Sequence, residues 1–281
     1  MVNNTTSQNS LIKDQVQNML VKPLQAASVM LGSGAKIFDS AAPVKIPRLD
    51  SSGSVGFVGE GEEIPDTYTA SFSEISLMPS DRKSIKAITR VTNELVRQSA
   101  TGVVSTLQTR LVEDVRHELD NALLNGTGAD KTITGLFNQP GTQTIPFDLS
   151  DPDTFLDAMA LATAAEVNPT HWMLNAEDFF QLRKKKDNNG RYLIQETLQE
   201  GVRYTLFGVP VIVSNKITQG KGALLDMKEV AIVRDTNPQI TILTEAYATT
   251  DETGIRVVTR YDLGLIRPSG VIILDASGAG A

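Results

Sequence analysis

Residues 50–71 read DSSGSVGFVGEGEEIPDTYTAS, a stretch that cannot bury much surface by itself. Gly53, Gly56, Gly59 and Gly61 recur every two or three residues, and glycine loses more conformational freedom on ordering than any other residue. Glu60, Glu62, Glu63 and Asp66 add an acidic cluster around Pro65. A loop this long inside a folded domain is usually functional or disordered. Its flanks behave differently. Ile75, Leu77 and Pro79 alternate, as do Ile85, Ala87, Thr89 and Val91, the period-two pattern of half-buried strands. The pattern predicts two strands leaving and re-entering a body, a long finger with a glycine-rich tip.

Upstream of the finger, Leu24–Arg48 mixes apolar runs with Gly, Ser and Pro and reads as an extended arm. Before it, Ile12, Val16, Met19 and Leu20 follow helical spacing up to Pro23, behind a polar Met1–Ser10 expected to be disordered. Downstream, a short helix is expected over Asn93–Gln98, with Ser99 capping the next one. From Thr101 to Leu124 the residues Val104, Leu107, Leu111, Val115, Leu119 and Ala122 recur every three or four positions. They predict a one-faced helix roughly 35 Å long, stopped at Asn125–Gly126.

Beyond Gly135–Phe137 and a Pro- and Thr-rich linker, Asp151 opens a helix bearing Phe155, Met159 and Ala162. An α/β region is expected next. It has a strand at Trp172–Asn175, a helix from Ala176 to about Lys186, and strands at Val209–Ser214, Ala223–Asp226 and Val230–Arg234. Gln239–Tyr247 and Ile255–Leu265 read as a long hairpin with a polar tip at Thr249–Gly254, followed by a last buried strand, Val271–Leu274. The finger and this hairpin are too thin to be held by their own burial, since isolated hairpins are marginal in water. Their edges would also invite pairing with other chains. The simplest resolution is that other subunits cover them.

Composition narrows the function. The chain has 281 residues, 41% of them apolar, a formal net charge of -7 and no cysteine. It is long enough for one large domain or two linked ones. Its acidity does not suit a reader of nucleic-acid bases, and disulfides and thiolate metal sites are excluded. No secretory or membrane-spanning segment is visible, so a soluble, intracellular protein is expected.

The sequence offers little reaction chemistry. His117 lies inside the long helix and His171 at a strand start, with no HExxH spacing and no Gly-x-Ser-x-Gly elbow. Glu113 and Asp114 are adjacent on a helix and do not face each other. Glu62 and Glu63 sit on a loop with no apolar pocket to perturb them. Gly126–Gly128 follows a helix instead of opening one, and Gly220–Gly222 lacks a Walker-type context; both read as turns. Lys184–Lys186, the basic run, could touch phosphate, but reads first as a solvated complement to a helix C-terminus. No catalytic residue, metal ligand or cofactor site is expected.

The order of these features resembles the major capsid proteins of tailed bacteriophages, which have the Hong Kong 97-type fold. The resemblance spans about Leu24 to Asp275. It rests on Phe57–Pro65 (FVGEGEEIP), on Arg90, Glu94–Leu95 and Ser99, on Asp120–Gly128 (DNALLNGTG) and on Gly135–Phe137. It continues through Trp172–Asn175, Gly190–Leu193, Leu206–Val211 and Arg260 to Arg267–Pro268. Each motif is weak alone; their number and order are specific.

The resemblance implies an α+β fold with an N-terminal arm (1–49) and an extended loop (50–81). It also implies a peripheral domain with a long spine helix (82–144 and 235–263) and an axial α/β domain (145–234 and 264–281). It implies self-assembly into hexamers and pentamers of an icosahedral shell that encloses double-stranded DNA without reading its sequence. Such a shell is built in the host bacterial cytoplasm with scaffold, portal and possible decoration proteins as partners, and persists as the virion capsid. Neighbours would touch the extended loop at Phe57, Val58, Glu60, Glu62, Glu63, Ile64 and Pro65. They would touch the hairpin tip at Thr250, Asp251, Glu252 and Thr253. An encapsulin-type compartment holding cargo enzymes shares the fold and is the alternative; an ordinary α/β hydrolase would need a nucleophile and base that the sequence does not offer.

The sequence departs from this family in two ways. The long N-terminal scaffolding extension of some members has no counterpart here; either a protease removes it or a separate scaffold protein serves, and the start at Met1 favours the second. Some members also crosslink covalently through a lysine of the extended loop and an asparagine of the peripheral domain. Here no Lys lies between Arg48 and Asp81 and no Asn between Glu245 and Asp262. Mature particles should therefore run as a single subunit band on a denaturing gel; a covalent ladder would refute this.

Overall fold

The computed structural model describes residues 28–51, 57, 71–94, 103–149, 151–186, 204–235, 239–243 and 245–276. The expected amino-terminal helix, the cap at Ser99 and most of the finger tip lie outside them.

The described chain opens with helix α1 (Val29–Gly32) and strands β1 (Lys36–Asp39), β2 (Val44–Ser51), β3 (Ser71–Leu77) and β4 (Ile85–Thr92). The finger is the antiparallel pair β2–β3, in register from Val44↔Leu77 to Leu49↔Phe72, with an irregularity before Ser51. This corrects two expectations. The stretch expected to be an extended arm supplies a short helix, one strand of a sheet and half of the finger. Ile85–Thr92, expected to be the returning finger strand, pairs instead with a strand far along the chain. Its alternation was real, but period two fixes a strand's faces and not its partner.

Helix α2 (Val103–Asn125) follows. Its buried residues Leu111, Val115, Leu119 and Leu123 lie four apart, with Leu124 beside them, one stripe facing a core. Asp120 on the same helix is almost wholly buried. It accepts from the Ser28 hydroxyl at 2.5 Å and from Val29 N at 3.2 Å, while Leu31 N donates to that hydroxyl at 3.2 Å. The long helix thus pins and caps α1.

The next elements are β5 (Gln143–Pro146), α3 (Asp153–Ala164), β6 (His171–Leu174), α4 (Ala176–Arg183), β7 (Thr205–Leu206), β8 (Val209–Val213) and β9 (Lys221–Leu225). They are followed by β10 (Val230–Arg234), β11 (Gln239–Leu243), β12 (Glu252–Thr259), β13 (Tyr261–Leu265) and β14 (Ile272–Asp275). A six-stranded sheet runs β5-β14-β9-β6-β8-β7; two three-stranded sheets run β1-β10-β13 and β11-β12-β4.

The expected terminal hairpin is also corrected. Its return arm breaks at Arg260: β12 pairs with β11 and β4, while β13 turns away to pair with β10. Likewise β10 joins β1 and β13 and does not enter the six-stranded sheet. The helix expected to reach Lys186 stops at Arg183.

The six-stranded sheet is buried on both faces. Met173, Ala223, Leu225 and Ile273 face the core built on α2. Their neighbours Trp172, Leu174, Leu224, Ile272 and Leu274 face a second core with Phe155 of α3 and Phe179 of α4. The alternation follows directly from the two-residue period of a strand. Trp172 satisfies its indole N–H by donating to Leu206 O at 3.1 Å, as a buried tryptophan must.

The end of α2 is tied into this body. Asn125 Nδ2 donates to Lys216 O at 2.7 Å, and Gly135 N donates to Gly126 O at 2.8 Å. A Cβ on Gly126 would lie 2.3 Å from Ile133 O and 2.4 Å from Ala122 O. Gly126→Ala should therefore cost about 2–4 kcal/mol, read as a lowered urea midpoint of the unassembled subunit. An unchanged midpoint would contradict this packing.

Candidate functional site

Among the described residues of the finger, the apolar contacts lie at its root, which decides where it points. On β3, Ile75 and Leu77 face Ala231 and Val233, the residues of β10 that look away from the α2 core. Strand β13 passes beneath them, and Gly264 makes room: a Cβ there would lie 2.6 Å from Leu77 Cδ2 and 3.2 Å from Ile75 Cγ2.

Immediately after β3 the chain is clamped by Asp262, which has no exposed surface. Its Oδ2 accepts from Met78 N at 2.7 Å and from Arg82 Nη2 at 2.8 Å, and its Oδ1 accepts from Leu263 N at 3.0 Å. Met78 adopts a left-handed φ of 55°, uncommon for a side-chain-bearing residue and held here by that bond. Arg82 also donates to Thr132 O, and Arg260 Nη2 donates to Pro79 O at 3.1 Å. A carboxylate without water is costly unless it is hydrogen-bonded and paired. This one has both, and two of its three donors come from the finger's exit.

Next to the clamp, the hydrogen bond and charge of Lys131 hold the Asp81 carboxyl below its ordinary pKa. Both side chains are exposed, so this pair adds little to stability.

Of the finger residues expected to meet neighbours, Phe57 is fully exposed, an unsheltered aromatic. Val58, Glu60, Glu62, Glu63, Ile64 and Pro65 lie outside the described residues. Of the four expected residues near Thr250, Thr250 and Asp251 lie in the turn before β12 and Glu252 and Thr253 open β12; their polar groups are largely engaged. Asp251, in a left-handed conformation, accepts from Asn93 Nδ2 at 2.6 Å through Oδ1 and from Asn93 N at 2.9 Å through its carbonyl. Thr253 Oγ1 donates to Asn93 Oδ1 at 2.7 Å, and Thr250 Oγ1 to Glu252 Oε2 at 3.2 Å. Asn93 was not anticipated; nothing local in the sequence links it to position 251.

The remaining polar candidates take ordinary places. His117 is exposed on α2, 3.3 Å from Arg116 Nη2. His171 is half-buried beside Thr170, and burial lowers its pKa. Among the described residues no group of three or more His, Asp or Glu is placed to hold a metal ion, and no helix is long and apolar enough to cross a membrane.

The arrangement has known counterparts. The sequence matches the phage capsid family over residues 8–276. It is 22% identical to the major capsid protein of Klebsiella oxytoca phage phiKO2, covering 94% of this chain; the chain spans 64% of that relative's length. The fold is shared with the capsid of a native GTA particle at TM-score 0.73 and 17% identity, covering 88% of this chain and 89% of that one. It is also shared with a chain of Mycobacterium phage Bobi at TM-score 0.71 and 16% identity, covering 88% and 90%.

Removing the clamp's charge tests its weight. Asp262→Asn should destabilise the unassembled subunit by about 3 kcal/mol or more, the cost of breaking a buried pair. Lys45→Ala, which removes only the exposed Lys45–Glu74 pair on the finger, should leave the urea midpoint almost unchanged, because solvent screens that pair. Equal urea midpoints for the two variants would mean that Asp262 does not hold the root.

Proposed function

Because this chain belongs to the phage capsid family, we propose that it is a structural subunit of a phage capsid shell, completed by copies of itself. The observation that carries this is the finger: a two-stranded projection, rigidly rooted at Asp262, that leaves Phe57 wholly in solvent. Such an element has no stable resting place on its own body, whereas a neighbouring subunit would supply one.

In this reading the β2–β3 hairpin is the extended loop that lies over a neighbour. Helix α2 is the spine of a peripheral domain that includes the β11-β12-β4 sheet. The six-stranded sheet with α3 and α4 is the axial domain, whose loops meet at the centre of hexamers and pentamers. The closed shell would enclose double-stranded DNA, and the acidic composition fits confinement of DNA without base readout. Its place is the virion, after assembly in the host cytoplasm with scaffold and portal proteins and, on the finished shell, decoration proteins. The role requires no reaction chemistry. Single contacts between subunits are modest, but many made at once raise effective concentration and hold the shell. Nothing among the described residues favours the encapsulin-type compartment over this reading.

Deleting Gly53–Pro65 should leave a folded subunit, judged by circular dichroism, that forms no closed shells in negative-stain electron microscopy. Normal shells from the deletion would defeat the proposal.

A further inference from the structure

The chain's charge is unevenly placed. Residues 49–81 contain seven of its 33 acidic residues, Asp50, Glu60, Glu62, Glu63, Asp66, Glu74 and Asp81, and none of its 26 basic ones. That one segment therefore carries the whole net charge of -7, and the rest of the chain is balanced. Four of the seven fall within residues 60–66.

The opposite charge is gathered on one open sheet face. In the β11-β12-β4 sheet, Ala87, Val91, Ile255 and Val257 point inward. The alternate positions point out. Lys86, Ile88 and Arg90 stand in a row on β4, and Arg256 of β12 lies directly opposite Ile88. Residues two apart on a strand share a face, and diagonal neighbours are within about 8 Å. Three cations therefore surround one isoleucine that is 48% exposed. Among the described residues no carboxylate pairs with any of the three.

Arg90 is held in place. Its guanidinium lies 4.4 Å over the ring of Tyr247. That ring in turn rests on Gly254, the cross-strand partner of Arg90, where a Cβ would come within 2.7 Å of it. A platform that orients a cation toward solvent is preorganised for an anion.

We infer that the Lys86–Arg90–Arg256 face is the seat of the acidic segment 60–66 of a second copy of this chain. Carboxylates from Glu60, Glu62 and Glu63 match the cations, and Ile64 supplies an apolar side chain for Ile88. The inference rests on the capsid reading above and names the contact that fastens one subunit to the next. Charge pairing of this kind sets partner and register more than raw affinity.

Charge exchange in the full chain is the test. Lys86→Glu with Arg256→Glu should abolish closed shells in negative stain while the subunit keeps its circular dichroism spectrum. Adding Glu60→Lys, Glu62→Lys and Glu63→Lys to that chain should restore shells. If the reversed chain fails to fold, Lys86→Gln with Arg256→Gln should raise the protein concentration needed for shells by at least about tenfold. Normal assembly of the reversed or neutralised chain would overturn the inference, as would reciprocal charges that fail to rescue a folded subunit. Shells that close but no longer retain duplex DNA would assign the face to the packaged polyanion and overturn it too. Failure of the unaltered chain to form shells would count against the capsid reading instead.

Discussion

Asp262 sits with no exposed surface between Tyr261 and Leu263 in a strand that is buried throughout, and the finger's exit is arranged around its two oxygens. Water cannot reach this carboxylate, so the protein must supply every donor. Leu263 supplies one locally; Met78 and Arg82 arrive from more than 170 residues earlier. Without them a charge would be buried unpaired, at a cost of several kcal/mol. The strained backbone of Met78, the close approach over Gly264 and the bridge from Arg82 to Thr132 follow from meeting that demand.

The same device recurs where other chain segments lack a core of their own. Asp120 on the long helix holds Ser28 and the start of α1. Asp178 on α4, also buried, accepts from Gly220 N at 2.7 Å and so holds the turn before β9; burial raises its pKa. Each carboxylate lies on a well-packed element and grips backbone from a thin one. Apolar packing alone would tolerate sliding, since it is not directional. A buried acceptor with fixed donors does not, which suits segments whose position matters to something outside the monomer.

Local elements were legible in the sequence and their partners were not. Leu111, Val115 and Leu119 announced the long helix, and the run Val230–Arg234 announced a strand with the bounds observed. Ile85–Val91 showed the right alternation, yet its partner β12 lies some 160 residues away, beyond the reach of any periodicity. The first finger strand was hidden for a different reason. Pro47 lies inside it, paired with Glu74, and a proline argues against a central strand. It is tolerated because a two-stranded finger leaves one edge of β2 without a ladder. Of the candidate site, the glycine-rich acidic tip could be read directly from composition. The clamp could have been suspected from one carboxylate in the run Tyr261–Leu265, but its donors could not.

A root fixed within the subunit settles part of the work of association in advance. Ordering a flexible projection during binding would subtract its conformational entropy from every contact made. Here the folding of the subunit has already settled the root's direction, through Asp262, Arg82 and the packing of Leu77. A shell needs contacts that are directional yet individually weak, so that misplaced subunits can leave before the lattice closes. A projection aimed by buried hydrogen bonds, and seated by solvent-screened charges as inferred above, would meet both requirements, because direction is decided within the monomer and strength would come from the number of neighbours engaged.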